Sequence, residues 1–434
     1  MKNNYITKLA KKLASLQLAI SLLFSIGTII AIGTVIEQGQ TLNFYKENYS
    51  ETQPMFGFLS WKLIIFCQLD QIYTSWWFLV ILFLFASSLL SCTFTTQLPS
   101  IKTFKLWKFY TNPSQFKSLS IGSNLKLGSF NAFAYHCNNS NYHFFRQNKK
   151  GYAYSGLLGR VAPVVVHISI VLLLLGSTFG AFSGYTAQQF IPRGEVAHIQ
   201  NLTKFGNISS LPQDLSFRIN DFWITYTKDL KTDQFYSDLS LLTNEGQEIK
   251  RKTIFVNEPL VFKNIVLYQT DWDIAGIKFK LNETETFQLP VKKITKGNRK
   301  FWFCSFPIDN QKKLSLVIND LNGQLYLYDE KGSLIKQVLL GDSFLVNNNS
   351  AIRFDSFLTT TGIQIKSDPG IQTVYLSFLL LMVSIYVSFF TYSQIWLIQS
   401  ADQISIGGNS NRAVLFFQQE FRKILKRVIK TTDL

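Results

Sequence analysis

The sequence predicts an α-helical integral membrane protein with four transmembrane helices and one large extracytoplasmic antiparallel β-rich domain. Three observations predict it. Four uncharged apolar stretches divide the chain, at Leu16–Ile36, Ser75–Thr96, Val161–Phe182 and Gln372–Trp396. Nearly all of the net positive charge lies on one side of the membrane those stretches define. The long interval between the third and fourth stretch is rich in short β-branched and aromatic runs broken by turn residues.

Each stretch holds roughly 20 residues, which at about 1.5 Å per residue crosses a hydrocarbon core of about 30 Å. The first is too long for the apolar core of a removable signal, and no A-x-A site follows it. An even number of crossings puts both termini and the middle loop on one face. Before the first crossing stand Lys2, Lys8, Lys11 and Lys12. The loop carries Lys102, Lys105, Lys108, Lys117, Lys126, Arg146, Lys149 and Lys150 and has no acid, and Arg160 opens the third crossing. The tail adds Arg412, Arg422, Lys423, Lys426, Arg427 and Lys430. Those 19 basic residues face three acids, Asp402, Glu420 and Asp433, a balance of +16 that equals the formal charge of the whole chain. The opposite side is therefore neutral. The positive-inside rule assigns the termini and middle loop to the cytoplasm or its organellar equivalent.

The divisions that follow are residues 1–98 with the first two crossings, a basic loop at 99–159, the third crossing at 160–183, the β-rich domain at 184–370, the fourth crossing at 371–396 and a basic amphipathic tail at 397–434. Basic residues that flank crossings point to the lipid bilayer as partner and away from nucleic acid. Two flanks have helical amphipathic spacing: Ile101, Phe104 and Trp107 among Lys102, Lys105 and Lys108, and Val414, Phe417, Phe421, Ile424, Leu425 and Val428 in the tail. Such helices either lie in the headgroup layer or simply present a solvated charged face.

Within 184–370, strands are expected at Ser216–Tyr226, Phe235–Leu242, Ile265–Gln269, Gln324–Tyr328 and Ala351–Phe357. Turns are expected at Asn244-Glu245-Gly246, Asn322-Gly323, Glu330-Lys331-Gly332 and Gly341-Asp342. A sandwich or open barrel suits that texture. The four cysteines, Cys67, Cys92, Cys137 and Cys304, form no C-x-x-C, which excludes vicinal thiol exchange and covalent haem attachment to this chain. A Cys67–Cys304 bridge is permitted by the topology and left open by the spacing. No Walker loop, G-x-S-x-G or H-E-x-x-H is present, so neither nucleotide nor zinc is expected. The wealth of Asn, Lys, Ile and Phe, with few Pro and Gly, suggests an AT-rich coding genome such as a plastid's.

The most informative residue is His167, about two turns inside the third crossing. Ionisable groups at such depth are costly and usually functional. A neutral imidazole can ligate haem iron, and it can equally hydrogen-bond Ser169, Ser177 or a neighbouring helix. The residues leave both readings open. His136 and His143 lie in an Asn-rich stretch without helical pattern and read as surface residues. His198 follows Glu195 near the start of the outer domain and could meet a ligand, but a lone exposed histidine usually has no such role. Trp76-Trp77 reads as an interfacial anchor.

Taken in order, several segments resemble the ResB-like proteins of system II cytochrome c biogenesis, found in chloroplasts, cyanobacteria and other bacteria. They are Leu13–Ala19 with Gly33–Gln38, Ser75–Phe78 with Ser91–Thr93, Val166–Ser169 with Gly176-Ser177, Val256–Leu260, Tyr268–Trp272, and Thr361–Gln364 with Asp368–Gly370. The resemblance covers most of the chain. It implies an accessory subunit of a cytochrome c haem-lyase complex, working with a separate WWD-type haem-handling membrane protein, with haem b as cargo and apocytochrome c as partner. It raises His167 to a haem-site residue with its second axial ligand supplied by the partner. It also points to Asp368, for which a turn at Asp-Pro-Gly is the simpler account. The implied setting is the thylakoid membrane, termini stromal and large domain lumenal, or alternatively a bacterial inner membrane with that domain periplasmic. A membrane-anchored apocytochrome chaperone or scaffold that never touches haem is the alternative function. One departure stands out: where relatives have a His near the inner end of the fourth crossing, this chain has Tyr392, followed by Ser393-Gln394-Ile395-Trp396.

Overall fold

The computed structural model describes residues 2–52, 54–104, 108–125, 129–228, 232–282, 284–296, 299–309, 312–347, 350–400 and 403–432. Lys105, Trp107, Lys126, Asp402 and Asp433 lie outside them, so the amphipathic flank at 101–107 is described only as the short helix Leu98–Phe104. The chain forms two compact units, residues 1–178 with 371–434, and residues 179–370.

In the first unit the longer helices are α1 (Leu16–Val35), α2 (Trp76–Cys92), α3 (Phe130–Asn138), α4 (Leu158–Ser183), α5 (Ile371–Ser388) and α6 (Val414–Thr432). α1, α2 with its helical continuation to Ile101, α4 and α5 are the four helices long and apolar enough to cross a membrane, yet only 11–28% of each apolar window is buried within the protein. Leu23, Phe24, Phe83, Leu175, Phe378 and Met382 are among the large apolar side chains left exposed. Helices apolar all round and uncovered by protein need lipid around them. Where they do meet, small residues admit the contact: Gly176 on α4 faces Thr373 and Val374 of α5, and a Cβ there would stand 3.1 Å from both side chains. The Ser88 hydroxyl of α2 donates to the Leu13 carbonyl at 2.7 Å. Ile26, Ile72, Phe78, Phe85, Leu89 and Val171 form the packed seam.

Three expectations are corrected here. The fourth crossing ends at Ser388 rather than Trp396. The segment Ser393–Gln399 is a strand, paired on one side with Lys150–Ser155 and on the other with Ile404–Ser410. Its neighbours extend to a five-stranded antiparallel sheet, whose outer strands are Ile121–Leu125 and His143–Gln147. The middle loop and the tail thus fold together as one small α/β domain. The strand's burial explains the difference. Ile395 and Leu397 pack toward α3 and α6, and Trp396 and Ile398 pack on the opposite face against Phe116 and Tyr152. A central strand covered on both faces reads as a continuous apolar run and merges with the preceding helix.

The second correction concerns the tail. Phe417, Phe421, Ile424 and Val428 of α6 are buried in the core of this domain, with Phe130, Phe133, Cys137 and Tyr142. That stripe meets protein, and no headgroup layer is needed to cover it. Third, His136 sits on a helix, α3, and is buried. Gly408 lets α6 approach the sheet, since a Cβ there would lie 2.4 Å from the Phe417 ring.

The second unit is all antiparallel. A seven-stranded sheet is built on two long strands, Ile265–Leu281 and Ser350–Ser367, with Tyr185–Pro192 beside the latter. One end of it packs against a four-stranded sheet (Val196–Ala197, Ser216–Tyr226, Thr232–Leu242, Glu248–Phe255) through Phe217, Ile219, Leu239, Leu241, Ile363 and Ile365. The other end packs against a five-stranded sheet (Lys292–Lys296, Arg299–Asp309, Lys312–Ile318, Gln324–Tyr328, Leu334–Leu339) through Ile277, Phe279, Leu316, Leu325 and Phe354. Two cores therefore share one ribbon. The ribbon bulges between Gln269 and Asp271 and between Ile274 and Gly276, where the side chains change the core they serve. Gly246, Gly323, Gly332 and Gly341 all have positive φ, as the turn readings require.

Candidate functional site

His167 is the tenth residue of α4, about 13 Å along the axis from Leu158. It is half-buried, and both ring nitrogens have partners on the segment that follows α2. Thr93 Oγ1 stands 3.1 Å from Nδ1, and Gln97 Nε2 stands 3.3 Å from Nε2. The Thr93 hydroxyl also lies 2.8 Å from the Leu89 carbonyl. Thr93 is buried, and the amide oxygen of Gln97 is buried without a hydrogen-bond partner.

The backbone that presents these two side chains is a π-turn, Thr93–Gln97. Its origin is legible in the residues. Thr93, Thr95 and Ser100 bond back to the carbonyls of Leu89, Ser91 and Thr96, competing with the helical ladder and widening it. A π-turn inside a helix is a common device at functional sites. Nothing in the sequence reading singled out Thr93 or Gln97 as partners of His167. The signal existed: the run Ser91–Gln97 is polar and sits at the same end of its crossing as His167 does in the next.

The other candidates are placed elsewhere. Asp368 accepts from the Gly370 amide at 3.2 Å, the geometry of an Asx turn that leads into α5. Its carboxylate lies so close to Gly180 that a Cβ there would meet Oδ1 at 2.3 Å. Tyr392 is not on the fourth helix. It is buried just before the strand Ser393–Gln399, its hydroxyl 3.2 Å from that of Tyr152 and its ring 4.9 Å beneath the Arg160 guanidinium. His136 Nε2 lies 3.3 Å from Thr431 Oγ1. His143 is exposed beside Tyr154 and lines a cavity of about 220 Å³ with Gly156, Leu157, Leu158 and Phe390. His198 is exposed. All four cysteines are free thiols. Among the described residues no three His, Cys, Asp or Glu side chains gather to hold a metal.

Several segments that carried the resemblance hold structure together. Gln38 spans the loop after α1, donating to the carbonyls of Ile36 and Leu69 and accepting from the Ile72 amide. Beside it Glu37 accepts from the Tyr49 hydroxyl at 2.6 Å. Burial and that bond push the Tyr49 phenol up to about 12, and the bond holds the Glu37 carboxyl below its ordinary value. In the second unit, Gln269 Oε1 accepts from Ser237 at 2.5 Å and from Thr361 at 2.8 Å, a buried polar knot between two sheets.

The ResB-like family model matches this chain over residues 16–355 and 286–422. Cytochrome c biogenesis protein Ccs1 of Emiliania huxleyi is 52% identical over 429 residues, 98% of each chain. Ccs1 of Porphyra purpurea is 44% identical over 422 residues, 97% of this chain and 96% of its own. The cyanobacterial CcsB of Nostoc sp. is 44% identical over 422 residues, covering 96% of this chain and 91% of its own. A match that runs through all four membrane helices, the small α/β domain and the β-rich unit leaves no part of the architecture unaccounted for: the chain belongs to the ResB-like family and is a membrane protein of cytochrome c biogenesis.

Proposed function

We propose that this chain delivers haem for covalent attachment to apocytochrome c, with His167 as an axial ligand to the iron of haem b in transit. The observation that carries the reading is an imidazole held inside an apolar helix by two polar side chains from the π-turn that follows a second one. Imidazole is a ligand suited to haem iron, and an ionisable group at that depth is costly and usually functional. Tyr392, sequestered in the small domain with Tyr152 and Arg160, is poorly suited to serve as the opposite ligand. The second axial position falls to a WWD-type membrane partner.

In this reading the small α/β domain and both termini are stromal or cytoplasmic, because the basic residues concentrate there. The β-rich unit is lumenal or periplasmic, where it presents apocytochrome c or shapes the partner's site. Algal and cyanobacterial relatives favour a thylakoid membrane, with a bacterial inner membrane as the other setting. Asp368 acts through the turn that connects the β-rich unit to α5.

The test is the absorption spectrum and c-type cytochrome yield of the complex purified with and without His167→Ala. Loss of the haem bands together with cytochrome assembly is expected. Full retention of both would leave the chain a scaffold that does not touch haem. Cysteine labelling at an exposed position of residues 179–370, from each side of sealed vesicles, checks the orientation.

A further inference from the structure

The hydroxyl of Thr93 carries one proton, and two acceptors compete for it. The Leu89 carbonyl lies 2.8 Å away and the His167 ring nitrogen 3.1 Å away. The shorter contact assigns the proton to the carbonyl one turn back, and on that assignment the oxygen accepts from His167. Nδ1 of His167 then carries the ring's proton. Nε2 is left with its lone pair, and that lone pair faces the Gln97 amide nitrogen at 3.3 Å, which donates to it. In this orientation the Gln97 Oε1 points away from the ring and is buried without a partner. With the amide turned over, Oε1 would need a proton on Nε2, and Nδ1 would then need the proton that Thr93 gives to Leu89.

We infer that Thr93 is a positioning residue that fixes the His167 tautomer with Nε2 available to iron, and that Gln97 is a placeholder that occupies that lone pair until haem arrives. The inference rests on His167 being a haem ligand. Iron and the Gln97 amide compete for the same electron pair, so loading breaks one N–H···N bond and forms one Fe–N bond. No proton moves, because Nδ1 keeps its own. The π-turn carries both side chains that reach the two ring nitrogens. In a metal-ligating histidine the partner of the distal nitrogen sets ring orientation and ligand strength, which is the role assigned to Thr93.

Two measurements test this. The first uses the full chain, labelled with ¹⁵N-histidine in lipid vesicles, without haem. The chain has four histidines, and the signal that His167→Ala removes is the one to follow. A protonated Nδ1 and bare Nε2 are expected, kept in Thr93→Ser and lost or mixed in Thr93→Val. A protonated Nε2 in the unaltered chain, or no change in Thr93→Val, would overturn the assignment.

The second titrates haem into the complex with its partner. Thr93→Val should bind about 10-fold more weakly with altered axial-ligand bands, Thr93→Ser within about 2-fold of the unaltered complex, and Gln97→Ala about 2- to 10-fold more tightly, the worth of one hydrogen bond. If His167→Ala still binds haem fully, the haem-ligand reading itself fails. If His167→Ala loses haem while Thr93→Val and Gln97→Ala bind as the unaltered complex does, only the present inference fails.

Discussion

Replacing Phe421 by alanine separates two accounts of the C-terminal helix. Phe421 is fully buried, among Phe130, Phe133, Ile395, Leu397 and Phe417. Truncating a phenylalanine in such a core costs about 3–5 kcal/mol, from lost burial and from the cavity left behind. Small domains have a total stability of about 5–15 kcal/mol, so the change removes a large share of it. The loss must reach the strands as well as the helix, because α6 covers one face of the sheet. In hydrogen exchange of the full chain in nanodiscs, the amides of Ser393–Gln399 and Ile404–Ser410 should lose protection together with those of α6. The effect should be the same in neutral and anionic lipid. A helix lying in the headgroup layer would behave differently: its own protection would fall, more so in neutral lipid, and the strands would be untouched. That second pattern would refute the packing of α6 as a domain core.

The remaining expectations concern three other contacts. Gly159→Ala places a Cβ 1.9 Å from the Phe390 carbonyl oxygen, so α4 and the chain after α5 must separate; membrane accumulation should fall severalfold in an immunoblot, whereas Gly27→Ala, with nothing within 4 Å, should match the unaltered chain. Thr361→Val leaves Gln269 and Ser237 short of a partner inside the second unit and should cost about 1–3 kcal/mol, read as increased protease sensitivity of residues 179–370 in denaturant. Glu420 on α6 is half-buried beside Tyr142, and burial raises its carboxyl above the ordinary value. A carboxyl raised in the folded state favours folding below its unfolded pKa, and that contribution is lost as pH rises through the folded one. Glu420→Gln should therefore slow exchange in α6 at neutral pH and flatten its pH dependence on the acid side; an unchanged profile would mean that Glu420 is solvated.

What the sequence makes legible follows from how each element is solvated. The four crossings stand out because lipid asks for the same thing along a whole helix, an apolar surface all round, as in Leu16–Val35. Turns such as Asn322-Gly323 stand out because a positive φ restricts the residue locally. The small α/β domain does not, because its sheet joins residues more than 280 positions apart, as in the pairing of Ile121 with Gly408. Each half of it shows only a local pattern, and that pattern is ambiguous. The stripe Phe417, Phe421, Ile424 and Val428 would serve a lipid surface or a protein core equally well, and only the partner strand decides which. His167 illustrates the same limit from the other side. Its depth marks it as unusual, but its chemistry is set by Thr93 and Gln97, 74 and 70 residues earlier. A histidine alone could be ligand or glue. On the tautomer proposed above, a hydroxyl that accepts at one nitrogen and an amide that donates at the other give the ring a defined lone pair, and a simple helix–helix contact does not require that.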